Sequence, residues 1–205
     1  MKKLITLILM SLGAAFIFAD GIVTSFTLGA DAASYQSRDV EETEAHFDLG
    51  AELDCVFANG FTAGIIGTFN VGENECEVRN TDITYTGYSK YVTVGPVVGY
   101  TFGNSLESFF SQLLLYPEFQ FGEFAPESVK VGYGSSTAIN DDDLVQDLMR
   151  VNLNLRVNFA WGHSAFRNGF YAQVGLPLAA TADSKAVHNL RGVKAGIGYK
   201  LSFVM

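Results

Sequence analysis

Cysteine is nearly absent, positive charge is scarce, and past the first nineteen residues there is no long hydrophobic run. Each shortage removes a class of protein. The two cysteines, Cys55 and Cys76, among 205 residues form a disulfide only if they can meet, and their layout argues that they cannot. Cys55 falls on an apolar strand face just before the Asn59-Gly60 turn, and Cys76 falls in a polar loop at the opposite end. Lys and Arg number 13 against 22 Asp and Glu, a formal net charge of −9. With no basic stripe, a nucleic-acid partner is not expected. Asp, Glu, Asn, Gly or Arg interrupts every apolar run after Ala19, so no transmembrane helix is predicted. No linker or low-complexity stretch divides the chain.

What is present begins with Met1-Lys2-Lys3, the apolar run Leu4 to Phe18 and the small residue Ala19. That is the layout of a secretory signal peptide, cleaved after Ala19 although Ile17 is a less usual residue before such a cut. The apolar run is short for a membrane anchor. Residues 1–19 are therefore read as a signal peptide and 20–205 as one domain. No Cys follows the cut, so the chain does not read as a lipoprotein.

From Glu44 to Phe57 polarity alternates without a fault. Ala45, Phe47, Leu49, Ala51, Leu53, Cys55 and Phe57 share one parity, and Glu44, His46, Asp48, Glu52 and Asp54 the other. Strand side chains alternate between faces, whereas a helix would scatter both sets around its circumference. The same reading predicts eight strands, near 21–31, 44–57, 61–71, 88–102, 108–124, 147–160, 169–180 and 190–205. Pro96 and Pro117 each remove a ladder donor and mark bulges or frayed pairing. The connections alternate long and short, with every short turn on the side of the termini.

Alternation alone does not say which face is wet, since a soluble lipocalin-like carrier also alternates. Glycine separates the two. Gly29, Gly50, Gly64, Gly95, Gly99, Gly122, Gly175, Gly192, Gly196 and Gly198 sit on the polar parity, with Gly67 the exception. Glycine weakens a water-facing strand, but a narrow eight-stranded barrel needs small residues beside large ones inside. The polar face is thus the interior, and the apolar face meets lipid. Positive mean hydropathy and abundant Phe, Tyr and Gly agree. Aromatics near strand ends, Trp161 and Tyr199 among them, suit interfacial girdles.

The final strand, Lys194-Ala195-Gly196-Ile197-Gly198-Tyr199-Lys200-Leu201 with Phe203 beyond it, resembles the β-signal of outer-membrane proteins, although the chain ends in Val204-Met205 where that family usually ends in Phe. The signal residues are Lys194, Gly196, Tyr199, Leu201 and Phe203. With the signal peptide and eight strands, the chain resembles the small eight-stranded outer-membrane barrels of the OmpA, OmpX and OmpW type. The resemblance implies an all-β, antiparallel up-and-down transmembrane barrel. It also implies outer-membrane lipid and the barrel-insertion machinery as partners, and a bacterial outer-membrane location. A monomer is expected.

The predicted lumen holds Glu44, His46, Asp48, Glu52, Asp54 and Glu118 against Arg150, Arg156, Lys194 and Lys200. Side chains fill an eight-stranded barrel, and buried charges must pair. Heights above the short turns predict Glu118 with Arg150, and Asp54 or Glu52 with Arg156 or Lys200. No cofactor, metal or catalytic residue is expected. His46 faces inward, His163-Ser164 lies in a short turn and His188 in an outer loop, none beside a positioned Ser and carboxylate. Asn140-Asp141-Asp142-Asp143 lacks the spaced ligands of a calcium loop, and Gly132-Tyr133-Gly134 has no Lys for a phosphate loop. The predicted outer loops, 32–43, 72–87, 125–146 and 180–189, leave a surface ligand as the open partner. The expected function is a structural or surface-interaction role. A narrow channel for small or hydrophobic solutes is the alternative, and a soluble carrier the other.

Overall fold

A computed structural model describes residues 19–103, 109–132, 134–139, 146–162, 165–182, 185–187 and 189–205. Eight long antiparallel strands make up the wall: β1 Gly21–Gln36, β2 Val40–Val56, β3 Phe61–Val78, β4 Ile83–Phe102, β5 Phe109–Val131, β6 Gln146–Trp161, β7 Phe166–Ala182 and β8 Arg191–Val204. Each pairs with its neighbours in sequence, and β8 pairs with both β7 and β1, which closes the ring. Two-residue strands at Thr137–Ala138 and Lys185–Ala186 add to the outer ends of β5 and β7. Residues 1–18 of the predicted signal peptide, His163-Ser164, His188 and the Asn140–Asp143 run lie outside the described residues.

Side-chain orientation is unambiguous. Leu49 and Ile197 are 61% and 68% exposed, while Asp48, Arg150 and Lys194 are 3–4% exposed. A polypeptide in water does not turn Leu and Ile outward and ionised groups inward along a whole barrel. The soluble-carrier alternative fails on this point. At the end bearing the short turns, aromatic side chains touch across β6, β7 and β8, Phe166 with Phe203, Trp161 with Phe170 and Phe170 with Tyr199, and along β4, Tyr100 with Phe102.

The strands outrun the sequence prediction, mostly at the outer end; β7 also begins three residues earlier at the turn end, at Phe166. β3 continues to Val78 with Glu73, Glu75 and Glu77 outward, and β5 continues to Val131. Most residues predicted as outer loop, Cys76 included, are therefore strand, and the outer connections shrink to 37–39, 79–82, 132–145 and 183–190. The apolar parity stops where the wall leaves lipid; the hydrogen-bonded ladder does not stop there. Above that level a strand needs no apolar face, so a reading based on hydrophobic alternation ends too early.

All four prolines mark irregularities. Val94 stands opposite Phe119 and Val98 opposite Leu115, but the pairs between them are missing. In that unbroken register Pro96 faces Pro117, and two opposed residues without N–H delete the ladder locally. Bulges follow Pro126, between the Thr86 and Gly87 pairings, and Pro177, between the Val151 and Asn152 pairings.

Candidate functional site

The lumen is packed as an apolar plug with three polar tiers above it. At the turn end, Val23, Val56, Phe110, Ala160 and Val204 form an apolar plug. Above it lies an ionic tier centred on Glu52. Lys200 Nζ donates to Glu52 Oε1 at 2.6 Å and to Gln112 Oε1 at 3.2 Å. Arg156 stands 3.5 Å from Glu52 Oε2 and donates through Nε to Asn158 Oδ1 at 3.0 Å. Gln112 Nε2 donates to Asp54 Oδ2 at 3.1 Å. Of the predicted pairings, the geometry brings Glu52 to both cations and leaves Asp54 to an amide.

The middle tier turns on Lys194, 3.1 Å from both Asp31 and Glu118. Glu118 also accepts from Asn152 and Asn154. Tyr171 donates to Asp48 Oδ1 at 2.5 Å, and the Arg156 guanidinium lies 3.7 Å over its ring. That ring occupies space left by two glycines: a Cβ on Gly29 would sit 2.0 Å from Tyr171 Oη, and one on Gly198 2.4 Å from Cε1.

The outer tier is held by Arg150, which donates to Glu42 at 2.7 Å and Glu44 at 3.1 Å while stacking 3.8 Å from Tyr35. Tyr91 donates to Glu44 at 2.9 Å. The predicted Glu118–Arg150 pair is therefore not formed. In a narrow barrel, inward side chains share one central space and reach across it, so partners are not confined to adjacent strands. Lys194 meets Glu118 from β8, and Arg150 leaves its wall neighbour Gln120 for β2.

Between the middle and outer tiers one row crosses four strands. Asp31 stands opposite His46, His46 opposite Gly72, and Gly72 opposite Ser89. His46 Nδ1 is 3.3 Å from Asp31 Oδ1, and Nε2 is 2.6 Å from Ser89 Oγ. The imidazole reaches Ser89 across β3 because Gly72 has no side chain there; a Cβ would lie 1.9 Å from Ala45 O and 2.6 Å from His46 Cα. The absence of a placed Ser and carboxylate had argued against catalysis; beside His46 the fold supplies both.

All ten predicted lumen residues lie inside and are at most 4% exposed. Asp31, Glu42, Arg167 and the tyrosines at 35, 91, 116 and 171 were missed. Asp31 shares the parity of Gly29, and Glu42 that of Glu44, so continuing the alternation past the apolar stretch would have found both. On β8, Lys194 and Gly196 point inward, Tyr199 and Phe203 are exposed outward, and Leu201 shares their outward parity with intermediate exposure.

A closed up-and-down barrel, apolar outside and ionic inside, defines the class: the fold of the small outer-membrane β-barrel proteins. No protein-family profile and no curated protein matches the chain. Among solved structures it is similar to the outer membrane protease OmpT of Escherichia coli, at 6% identity over 91% of this chain and 97% of that one, TM-score 0.55. It is also similar to Neisserial surface protein A, at 12% identity over 89% and 96%, TM-score 0.48. A third is Ail, the attachment invasion locus protein of Yersinia pestis, at 16% identity over 89% and 99%, TM-score 0.41. At such identities a likeness concerns the fold alone.

Proposed function

We propose that the protein is a monomeric, integral outer-membrane barrel with a closed lumen, acting through the strand extensions and connections at its outer end. Residues 1–19 deliver it as a cleaved signal peptide, and the barrel-insertion machinery reads Lys194, Gly196, Tyr199, Leu201 and Phe203. The ligand at the outer surface is unassigned. The observation that carries this reading is the filling of the lumen: three tiers of paired charge above the Val23–Phe110–Val204 plug. An eight-stranded barrel packed this way has no aqueous path. Purified, heat-modifiable protein in a planar bilayer should therefore give no discrete conductance. Steady nanosiemens openings would defeat the closed-lumen reading, and recovery in the inner-membrane fraction would defeat the location.

One observation favours a second reading, a lateral path for hydrophobic solutes. The ladder gap at Pro96 and Pro117 is backed inside by the apolar cluster Ile66, Val97, Leu114 and Tyr116. Uptake of an apolar dye into proteoliposomes, altered by Val97→Asp or Leu114→Asp, would support it; uptake equal to protein-free vesicles would end it.

A further inference from the structure

We propose that Ser89 is an activated nucleophile, with His46 as its general base and Asp31 as the residue positioning that base, and that the outer mouth of the barrel hydrolyses a short-chain ester. This goes beyond the surface role above and does not rest on it.

The argument starts from hydrogen-bonding capacity. Asp31 Oδ1 can only accept, and a second carboxylate oxygen, Glu44 Oε2, stands 4.0 Å from His46 Nδ1. Two acceptors on one side place the imidazole proton on Nδ1, which leaves the Nε2 lone pair to accept from the Ser89 hydroxyl at 2.6 Å. That is the nucleophile–base–orienter relation required of an activated serine. Tyr91 packs edge-on against the imidazole at 5.2 Å between centroids, fixing its plane.

Access comes from the outer end. A cavity of about 80 Å³ in the mouth is lined by Tyr35, Glu42, Cys76, Phe124 and Arg150. Phe124, the β5 register partner of Ser89, is also one of the residues lining this cavity, so a single side chain connects the row to the mouth. Ser89 is 1% exposed, so access to it requires a displacement of Phe124, which the Phe124→Ala variant tests. The size of the mouth selects a small acyl group.

The reaction balances with water alone. Ser89 Oγ attacks the ester carbonyl carbon while its proton passes to His46 Nε2, and the carbonyl π pair moves to oxygen. The tetrahedral species collapses, the bond to the alcohol oxygen breaks, and Nε2 returns the proton to the leaving alkoxide. Water then attacks the acyl-serine by the same relay, releasing the carboxylic acid and restoring Ser89.

The test uses the full folded chain in detergent, its folded state checked by heat-shifted migration. The probes are diisopropyl fluorophosphate and p-nitrophenyl acetate. The expected result is an adduct mapped to Ser89 and slow ester turnover. Both are lost in Ser89→Ala and reduced about 100-fold or more in His46→Gln. Asp31→Asn should lower kcat with little change in KM, Phe124→Ala should label faster, and Ser202→Ala, which removes another buried lumen hydroxyl, should behave as wild type. Heat-modifiable protein without a Ser89 adduct, or turnover unchanged in Ser89→Ala or His46→Gln, overturns the proposal. Neither result touches the closed-lumen reading, which conductance decides.

Discussion

Glu118 and Lys194 show what a charge inside this barrel is worth. Lys194 is 4% exposed and shares its ammonium between Glu118 and Asp31. Replacing a buried ion pair by apolar groups is often neutral, but removing one partner strands the other without solvent and costs about 3–5 kcal/mol. Glu118→Ala should lower unfolding stability by roughly that amount in urea titrations of the vesicle-inserted protein, and Glu118→Leu with Lys194→Met should cost clearly less. If the double variant is the worse of the two, the pair contributes more than mutual neutralisation. Glycine offers a second contrast at this scale. Gly29→Ala pushes a methyl into Tyr171 and Ile197 O, whereas a Cβ on Gly67 meets nothing closer than Thr93 O at 3.5 Å. Overpacking of the first kind costs about 1–3 kcal/mol. Gly67→Ala, on the lipid-facing wall, should be neutral or gain up to about 1 kcal/mol from reduced chain entropy. Heat-shift midpoints of the two variants separate them.

Strands reveal where sequence reading succeeds and where it stops. On β2 and β6 the apolar and polar parities are complete, because each strand runs through lipid outside and a crowded ionic lumen inside. The sequence marked both strands to within a few residues and turned their lumen charges inward; at the turn end of β2 it did not foresee Val56 in the plug or Cys55 buried. On β3 it lost Gly72 to Val78, since Glu73, Glu75 and Glu77 face water and nothing apolar signals the strand. The row of Asp31, His46 and Ser89 was illegible for a different reason: it depends on the register of four strands and on one missing side chain at Gly72, and neither is written locally. The prolines were legible as trouble but not as a pair. Their opposition across β4 and β5 predicts that Pro96→Val with Pro117→Val restores two facing donors. At about 0.5–1.5 kcal/mol per hydrogen bond, less the entropy returned to the unfolded chain, the double variant should raise the heat-shift midpoint. It should also slow amide exchange at Val94, Val98, Leu115 and Phe119, the flanking pairs whose N–H groups point across the same seam. Unchanged exchange there would mean that the gap has another cause.

The molecule as a whole is two devices on one set of strands. Below the level of Val71 on β3 and Val92 on β4 the wall is apolar outside and its inward charges are ion-paired or hydrogen-bonded; above it the same ladders continue with Glu73, Glu75, Lys90 and Thr86 outward. From Gly72 to Val78 a strand tilted as in small barrels rises roughly 15 Å at about 3.3 Å per residue, so the β3–β4 hairpin stands clear of the bilayer. That projection contributes nothing to the plug; at its base Ser89 meets His46, and above it Asn74 and Cys76 touch the outer tier. Joining Glu75 to its register partner Thr86 through Asn-Gly should therefore leave a barrel that inserts and keeps its heat-shifted migration, with a stability loss of about 1–2 kcal/mol from the lost ladder pairs at the tip. Partner capture on intact cells should fall if the hairpin carries recognition. A truncated chain that no longer inserts would make the extension part of the folding unit, and the division into a membrane device and a surface device would be wrong.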